Sequence, residues 1–173
     1  GDGTKIWHFA HIREDVEIGK NCNIGKSVYI DSGVRIGDGV KIQNFVSIYK
    51  GVRIEKNVFI GPAVTFTNDL FPRAFIWNQN KITPTLVKEG ASIGANSTII
   101  CGLTIGEYSM VGAGSVVTRD VPPFGLVYGN PAKLKGYICY CGKKLSNIIE
   151  RKDNRVTYIC ELCGRKVEIV SAK

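Results

Sequence analysis

Residues 12–60 read IREDVE IGKNCN IGKSVY IDSGVR IGDGVK IQNFVS IYKGVR IEKNVF I, and the spacing of isoleucine in them decides the fold. Isoleucine stands at every sixth position. The series reaches back to Ile6, so ten isoleucines run from Ile6 to Ile60, and Phe66 keeps step. Four residues after each, from Ile12 onward, come Val16, Cys22, Val28, Val34, Val40, Val46, Val52, Val58 and Val64. Glycine follows the isoleucine at Gly19, Gly25, Gly37 and Gly61. A period of six fits neither the 3.6-residue face of a helix nor the alternation of a plain strand. It fits short strands joined by tight corners, with the isoleucine pointing inward and its partner filling the space near the corner. Three such sides close a coil of eighteen residues. Coils then stack by parallel pairing about 4.8 Å apart, each burying its apolar stripe only against its neighbours.

The series breaks after Phe66 and resumes at Val87, Ile93, Ile99, Ile105, Val111 and Val117, with Ala91, Ser97, Leu103, Ser109 and Ser115 as partners. The next start would have fallen at position 72, so about fifteen residues bulge out within residues 67–86. Seventeen repeat starts predict slightly under six coils. After Gly136 the period ends, which divides the chain into residues 1–136 and a tail, 137–173.

The 173 residues suffice for one domain and a small appendage. No apolar run approaches the ~20 residues of a membrane span, and no secretory pattern opens the chain, so a cytoplasmic protein is expected. The start at Gly1 rather than Met suggests trimming. The formal charge of +8 favours anionic partners, whether a nucleotide, CoA, a nucleotide sugar or nucleic acid. The tail lacks the dense basic and aromatic interleaving of a nucleic-acid binder, so nucleic acid is not expected. Cys22 and Cys101 occupy repeat positions and read as core.

The Ile-Gly-x-x-Val-x pattern resembles the hexapeptide signature of the left-handed β-helix acyltransferases. The resemblance implies an all-β, left-handed parallel β-helix with one protruding loop. It also implies a homotrimer with acetyl-CoA lying between subunits. VGAGSVVTRDVPP at residues 111–123 and GNPAK at residues 129–133 look like the CoA-binding end of these enzymes. That likeness implies backbone contacts from Ala95 and Ala113 to pantetheine, and places Thr118, Arg119 and Lys133 near the adenosine and its phosphates. GPAVTFTNDLFPRA at residues 61–74 resembles the segment of N-acetyltransferases acting on nucleotide-linked 3-amino sugars. IWHFAHI at residues 6–12 and IQNFVSIY at residues 42–49 point further, to the enzymes acting on UDP-2-acetamido-3-amino-2,3-dideoxyglucuronate. The dTDP-3-amino-3,6-dideoxyhexose enzymes share the FTND-x-x-PR element and are the alternative. The resemblance covers about residues 1–137.

Amide formation needs an unprotonated amine, a positioned thioester and a stabilised oxyanion. Many hexapeptide acetyltransferases supply a histidine base from a protruding loop, but this bulge has none; the only histidines are His8 and His11. A sugar amine is already partly neutral near pH 7 and attacks if well placed. The resemblance points to Asn68 as the residue that orients it, through an acceptor oxygen and two donors. Arg73 is the candidate for the substrate's carboxylate or diphosphate, and Asp69 for a hydrogen bond from the amine or ribose. Counting in eighteens sets Gln43, Asn44 and Tyr49 within one coil of the bulge, as candidates to line a sugar or uracil pocket.

In the tail, Cys139-x-Cys141-Gly and Cys160-x-x-Cys163-Gly form two cysteine knuckles. Two sulfurs on a tight turn with glycine suit structural zinc held by all four cysteines, a zinc-ribbon-like tail. Two disulfides are the alternative, disfavoured in a reducing cytosol. Arg155 to Ile159 alternate as a strand of a small ribbon. The leading expectation is therefore a nucleotide-amino-sugar N-acetyltransferase; its rival is a trimeric scaffold carrying a zinc-ribbon binding module.

Overall fold

The computed structural model describes residues 1–76 and 78–170; Trp77 of the expected bulge and positions 171–173 of the expected tail lie outside the described residues. The hexads form a three-sided parallel β-solenoid of the left-handed type. The first face stacks the strands Lys5–Ile6, Asn23–Ile24, Lys41–Ile42, Phe59–Ile60, Ser92–Ile93, Met110–Val111 and Gly125–Gly129 in parallel. The second face runs from His11–Ile12 to Val116–Val117, and the third from Glu17–Ile18 to Thr104–Ile105. Ile24, Ile42, Ile60 and Ile93 meet in register and are fully buried, and the Val partners close the core beside them. In the lowest described coil Ile6 is 53% exposed.

The first face holds seven parallel strands, more than the count of slightly under six coils allows. The reason lies at residues 118–123. Ile105 pairs with Val121 and Val111 with Val127, sixteen residues on instead of eighteen. The corner of Thr118, Arg119 and Asp120, between Val117 and Val121, is two residues short, so a strict count of six loses the last turn.

Corners require a residue in the left-handed backbone region. Glycine or asparagine supplies it at Asn21, Gly39, Asn57 and Gly90, but Phe9, Phe45, Tyr108 and Phe124 adopt it too. An L side chain pays roughly 1–2 kcal/mol there. For Tyr108 and Phe124 packing offsets the strain: their rings stack at 5.5 Å, and Tyr140 meets both edge-on at 4.6 and 4.9 Å. Phe9 and Phe45 are 80% and 57% exposed, and the Phe9 ring meets the Lys26 ammonium at 5.8 Å.

The bulge leaves and re-enters cleanly. Phe66 pairs with Ile99 and Ile54 with Val87, each thirty-three residues on, so fifteen are extruded without disturbing the stack. A single 3-10 turn, Gln79–Lys81, is the only helical element among the described residues. No helix is long and apolar enough to cross a membrane.

At the top, Ala132–Tyr137 turns back antiparallel on Gly125–Gly129. The chain then forms a three-stranded antiparallel sheet, Asn147–Lys152, Arg155–Ile159 and Lys166–Val170. Its small core gathers Cys139, Leu145, Cys160, Val167 and Ile169 around Phe124, with Tyr108 against it. The tail is thus seated on a corner of the upper coils, and the Ile138 amide donates to the Phe124 carbonyl at 2.8 Å.

Candidate active site and cysteine centre

The bulge is tied at its neck by the Thr83 amide, which donates to the Asn68 carbonyl at 3.0 Å. Asn68 is half-buried, and its side-chain amide makes no hydrogen bond among the described residues, so both its oxygen and its nitrogen are free for a ligand. Asp69 is committed. Its carboxylate accepts from the Phe71 amide at 2.7 Å and pairs with Lys81 at 2.9 Å. The Lys81 ammonium and then the Phe71 amide hold the carboxyl below the usual aspartate range, against the opposing effect of burial. Lys81 also donates to the carbonyls of Phe71 and Ile76 at 2.9 and 3.4 Å, so one ammonium clasps the whole bulge. The sequence did not single out Lys81, because no period relates the two ends of an extruded loop. Arg73 is exposed, donates only to the Pro72 carbonyl, and has no carboxylate partner among the described residues. Leu70, Phe71, Phe75 and Ile76 give the bulge an exposed apolar crest.

Two coils beneath, Asp31 braces the same corner. Burial alone would push its carboxyl up, but the amides of Ser32 and Lys50 and the Arg13 guanidinium hold it below the ordinary range.

The substrate candidates do not gather in one place on a single chain. Tyr49 lies on the bulge's corner, its ring 5.5 Å from Tyr29, which meets His11 at 5.6 Å. Gln43 and Asn44 lie on the preceding corner, across the second face, and line a pocket of about 190 Å³ with Trp7, His8, Asn23, Gly25 and Lys26. Counting coils along the axis gave their height correctly. It could not give the corner, because three corners share each height.

Ala95 and Ala113 occupy the same corner as Asn44, in register on successive coils. Lower on this corner the Lys26 amide is taken by Asn44 Oδ1, from the coil above, at 2.8 Å. Alanine has no such oxygen, and among the described residues neither the Ala95 nor the Ala113 amide donates a hydrogen bond. A Cβ on Gly61 would stand 2.7 Å from the Ala95 nitrogen, so this strip of backbone is bare by construction. Across the second face, on the corner from which the bulge leaves, Thr118 and Arg119 come together with Lys133 around a cavity of about 400 Å³, with Pro122, Val127 and Pro131 in its walls.

In the tail the four cysteine sulfurs lie within 4.8 Å of one another, with Cys139 to Cys163 at 3.5 Å and Cys141 to Cys160 at 3.6 Å. Tetrahedral thiolates about 2.3 Å from zinc stand about 3.8 Å apart, so the set has the right size for that ion. The shorter first spacing is absorbed by its turn. Gly142 donates to the Cys139 carbonyl where Gly164 donates to that of Cys160, one residue tighter. Both glycines sit at positive φ, 83° and 70°. Burial pushes the Cys139 thiol up to about 12, whereas the Cys163 and Leu162 amides bring Cys160 down to about 7.

The bacterial transferase hexapeptide (six repeats) family matches residues 1–32, 33–68 and 84–119. The dTDP-3-amino-3,6-dideoxy-alpha-D-galactopyranose 3-N-acetyltransferase of Aneurinibacillus thermoaerophilus is 55% identical over 166 residues, 96% of this chain and 82% of that protein. Such an alignment reaches well into the tail, so the likeness extends beyond the expected residues 1–137. Among solved structures, a variant of GDP-perosamine N-acetyltransferase from Caulobacter crescentus, in complex with CoA and GDP-perosamine, superposes with a TM-score of 0.66 at 29% identity. The match covers 77% of this chain and 56% of that one. A hexapeptide-repeat acetyltransferase from Vibrio cholerae complexed with acetyl coenzyme A gives 0.60 at 30% identity, over 70% of each chain.

Proposed function

Because the chain belongs to the bacterial transferase hexapeptide family, we propose that it transfers the acetyl group of acetyl-CoA to the 3-amine of a dTDP-linked 3-amino-3,6-dideoxyhexose. The observation that carries this reading is the 55% identity over 96% of the chain to a relative named for that reaction. The same observation moves the substrate away from UDP-2-acetamido-3-amino-2,3-dideoxyglucuronate, which the strings at residues 6–12 and 42–49 had favoured.

Bare amides at Ala95 and Ala113 support a pantetheine lying along that corner, with its adenosine and phosphates in the cavity of Thr118, Arg119 and Lys133. Asn68 orients the amine through its free oxygen. The amine nitrogen attacks the thioester carbon, the C–S bond breaks, and the departing thiolate takes the proton that the nitrogen loses. Placement supplies most of the rate, since no histidine stands in the bulge. A 6-deoxyhexose has no carboxylate, so the diphosphate is the anion for Arg73. Asp69, held by Lys81, shapes the bulge and can still offer a lone pair to the amine or ribose.

Asn68 and the cofactor strip lie on different corners, so the reaction needs a second subunit. A homotrimer brings the bulge of one subunit, with its apolar crest and Tyr49, against the first corner of the next. The four cysteines hold one structural zinc; with four protein ligands it has no open position and takes no part in acetyl transfer. Thiolate ligands and an acetyl-CoA cosubstrate both suit a reducing cytoplasm.

The test incubates the protein with acetyl-CoA and the dTDP-linked 3-amino-3,6-dideoxygalactose. One thiol released per N-acetylated sugar is expected; a folded trimer that releases none would overturn the reading.

A further inference from the structure

The eight-stranded sheet ends in the return strand Ala132–Tyr137, which among the described residues pairs only with Gly125–Gly129 and leaves Lys133, Leu134 and Lys135 exposed. Ala132, Lys133 and Leu134 form one wall of the cavity of about 400 Å³, opposite Thr118 and Arg119. Lys133 forms no ion pair among the described residues. Half of that cavity therefore rests on the edge of a sheet, and something has to hold the edge still.

Two registers meet within the strand. Beside the turn at Asn130 and Pro131, Gly129 faces Ala132, Tyr128 faces Lys133 and Val127 faces Leu134. Further on, Leu126 faces Gly136 and Gly125 faces Tyr137, so Lys135 is one residue too many. The turn dictates the first register. The second belongs to the tail. The Ile138 amide donates to the Phe124 carbonyl at 2.8 Å, the Leu145 amide to the Tyr137 carbonyl at 2.9 Å, and Tyr137 packs against the tail's small core. Without the slip, alternation would turn Tyr137 to the opposite face of the sheet. Gly136 absorbs the slip at φ 143°, where a Cβ would stand 3.3 Å from the Lys144 side chain, just past the first knuckle.

The tail grips the coils through one ring. Tyr140, between Cys139 and Cys141, meets Tyr108 and Phe124 edge-on at 4.6 and 4.9 Å. Arg165, just past the second knuckle, lies 5.8 Å from the Tyr140 ring. Both knuckles thus bear on the seat, and the four clustered sulfurs join the knuckles. Tyr108 and Phe124 keep left-handed backbone beneath this contact. Such strain persists only where the surroundings over-determine it.

We propose that the cysteine tail is a positioning element for the cofactor. Seated through Tyr140 and closed by zinc, it fixes the slipped edge strand and so holds Lys133 in the cavity wall. Loss of zinc frees the second register, the edge loosens, and Lys133 no longer meets the phosphates of acetyl-CoA at a fixed point. The thioester end, on the bare amides of Ala95 and Ala113, is untouched. Zinc therefore tunes affinity for the nucleotide end of the cofactor and leaves the transfer step alone. This assignment rests on the reading that acetyl-CoA is the donor and that its phosphates lie by Lys133.

The test compares the whole zinc-loaded protein with the same protein after chelation. Its two donors are acetyl-CoA and S-acetylpantetheine, which carries the thioester without the nucleotide. Chelation should weaken acetyl-CoA about tenfold by calorimetry, the scale of one lost charge-assisted contact, and raise its KM with kcat unchanged. For S-acetylpantetheine kcat/KM should not move. Tyr140→Ala should reproduce the loss with zinc still bound, and Tyr140→Phe should keep the affinity. In Lys133→Ala, already weakened, chelation should add nothing. Acetyl-CoA affinity unmoved after the three-stranded sheet has lost its hydrogen-exchange protection would overturn the proposal. So would an equal loss for both thioesters, or a further loss on chelating Lys133→Ala. If the chelated protein aggregates, the Tyr140 variants carry the same comparison. Zinc-dependent acetyl-CoA affinity without acetylation of the dTDP-linked sugar would overturn the acceptor reading and leave this one standing. Acetylation with a KM for acetyl-CoA indifferent to zinc and to Tyr140 would do the reverse.

Discussion

Asn68 is the residue on which the proposed chemistry turns, and what distinguishes it is what it does not do: its side chain makes no hydrogen bond among the described residues while its carbonyl ties the bulge. Asn68→Ala is therefore expected to keep the fold and the KM for acetyl-CoA while kcat falls by about 10²-fold, the usual consequence of a misplaced nucleophile. Near-normal turnover would remove Asn68 from the mechanism. Beside it, Asp69 and Lys81 give the bulge a sign in pH. A carboxyl held below its ordinary value stabilises the structure fully above that value, about 3.9, and the contribution is lost as pH falls through the lowered one. Hydrogen exchange should find bulge protection constant from pH 8 to 5 and failing only in stronger acid, whereas Lys81→Met should lose it throughout. Protection indifferent to Lys81→Met would contradict the clasp. The role proposed for Asn68 comes from the likeness carried by the string TFTND. Lys81 was not legible, since its reach across the bulge depends on a loop conformation that no spacing encodes.

The strands show how far periodicity carries and where it stops. Isoleucine at every sixth position gave the faces, the parallel register and the extrusion of fifteen residues, because each coil has to match its neighbour or expose its stripe. It missed the last turn, because the corner at Thr118, Arg119 and Asp120 drops two residues while Val121 and Val127 still fill the core. In the tail the strand Arg155–Ile159 and the cysteine cluster were both legible from alternation and from paired knuckles. The seat of the tail was not: Tyr140 on Tyr108 and Phe124 is a contact between segments with no common pattern. Metal analysis should return one zinc per chain. A chelator that strips it should release hydrogen-exchange protection in the three-stranded sheet while the coils keep theirs, and Cys160→Ser should do the same. A metal-free protein with a protected sheet would contradict the assignment.

At the scale of the whole molecule, one corner of the solenoid carries the bare amides and the lower pocket, while the next carries the bulge. This separation was illegible in the sequence, which gives height along the axis and leaves the corner undetermined until the chain is folded. In the proposed homotrimer it is why a single subunit would not suffice, and it gives the exposed crest of Phe71 and Phe75 a surface to cover. The formal charge of +8 over the chain favours phosphorylated ligands such as the two proposed.

The central claim concerns which amine is acetylated, and the direct measurement is kcat/KM for two acceptors under saturating acetyl-CoA. These are the dTDP-linked 3-amino-3,6-dideoxygalactose and the UDP-linked 2-acetamido-3-amino-2,3-dideoxyglucuronate. The account predicts thiol release with both acceptor and cofactor present and a preference for the dTDP sugar of at least tenfold. A preference for the uronate, or no thiol release with either from a folded trimer, would contradict it.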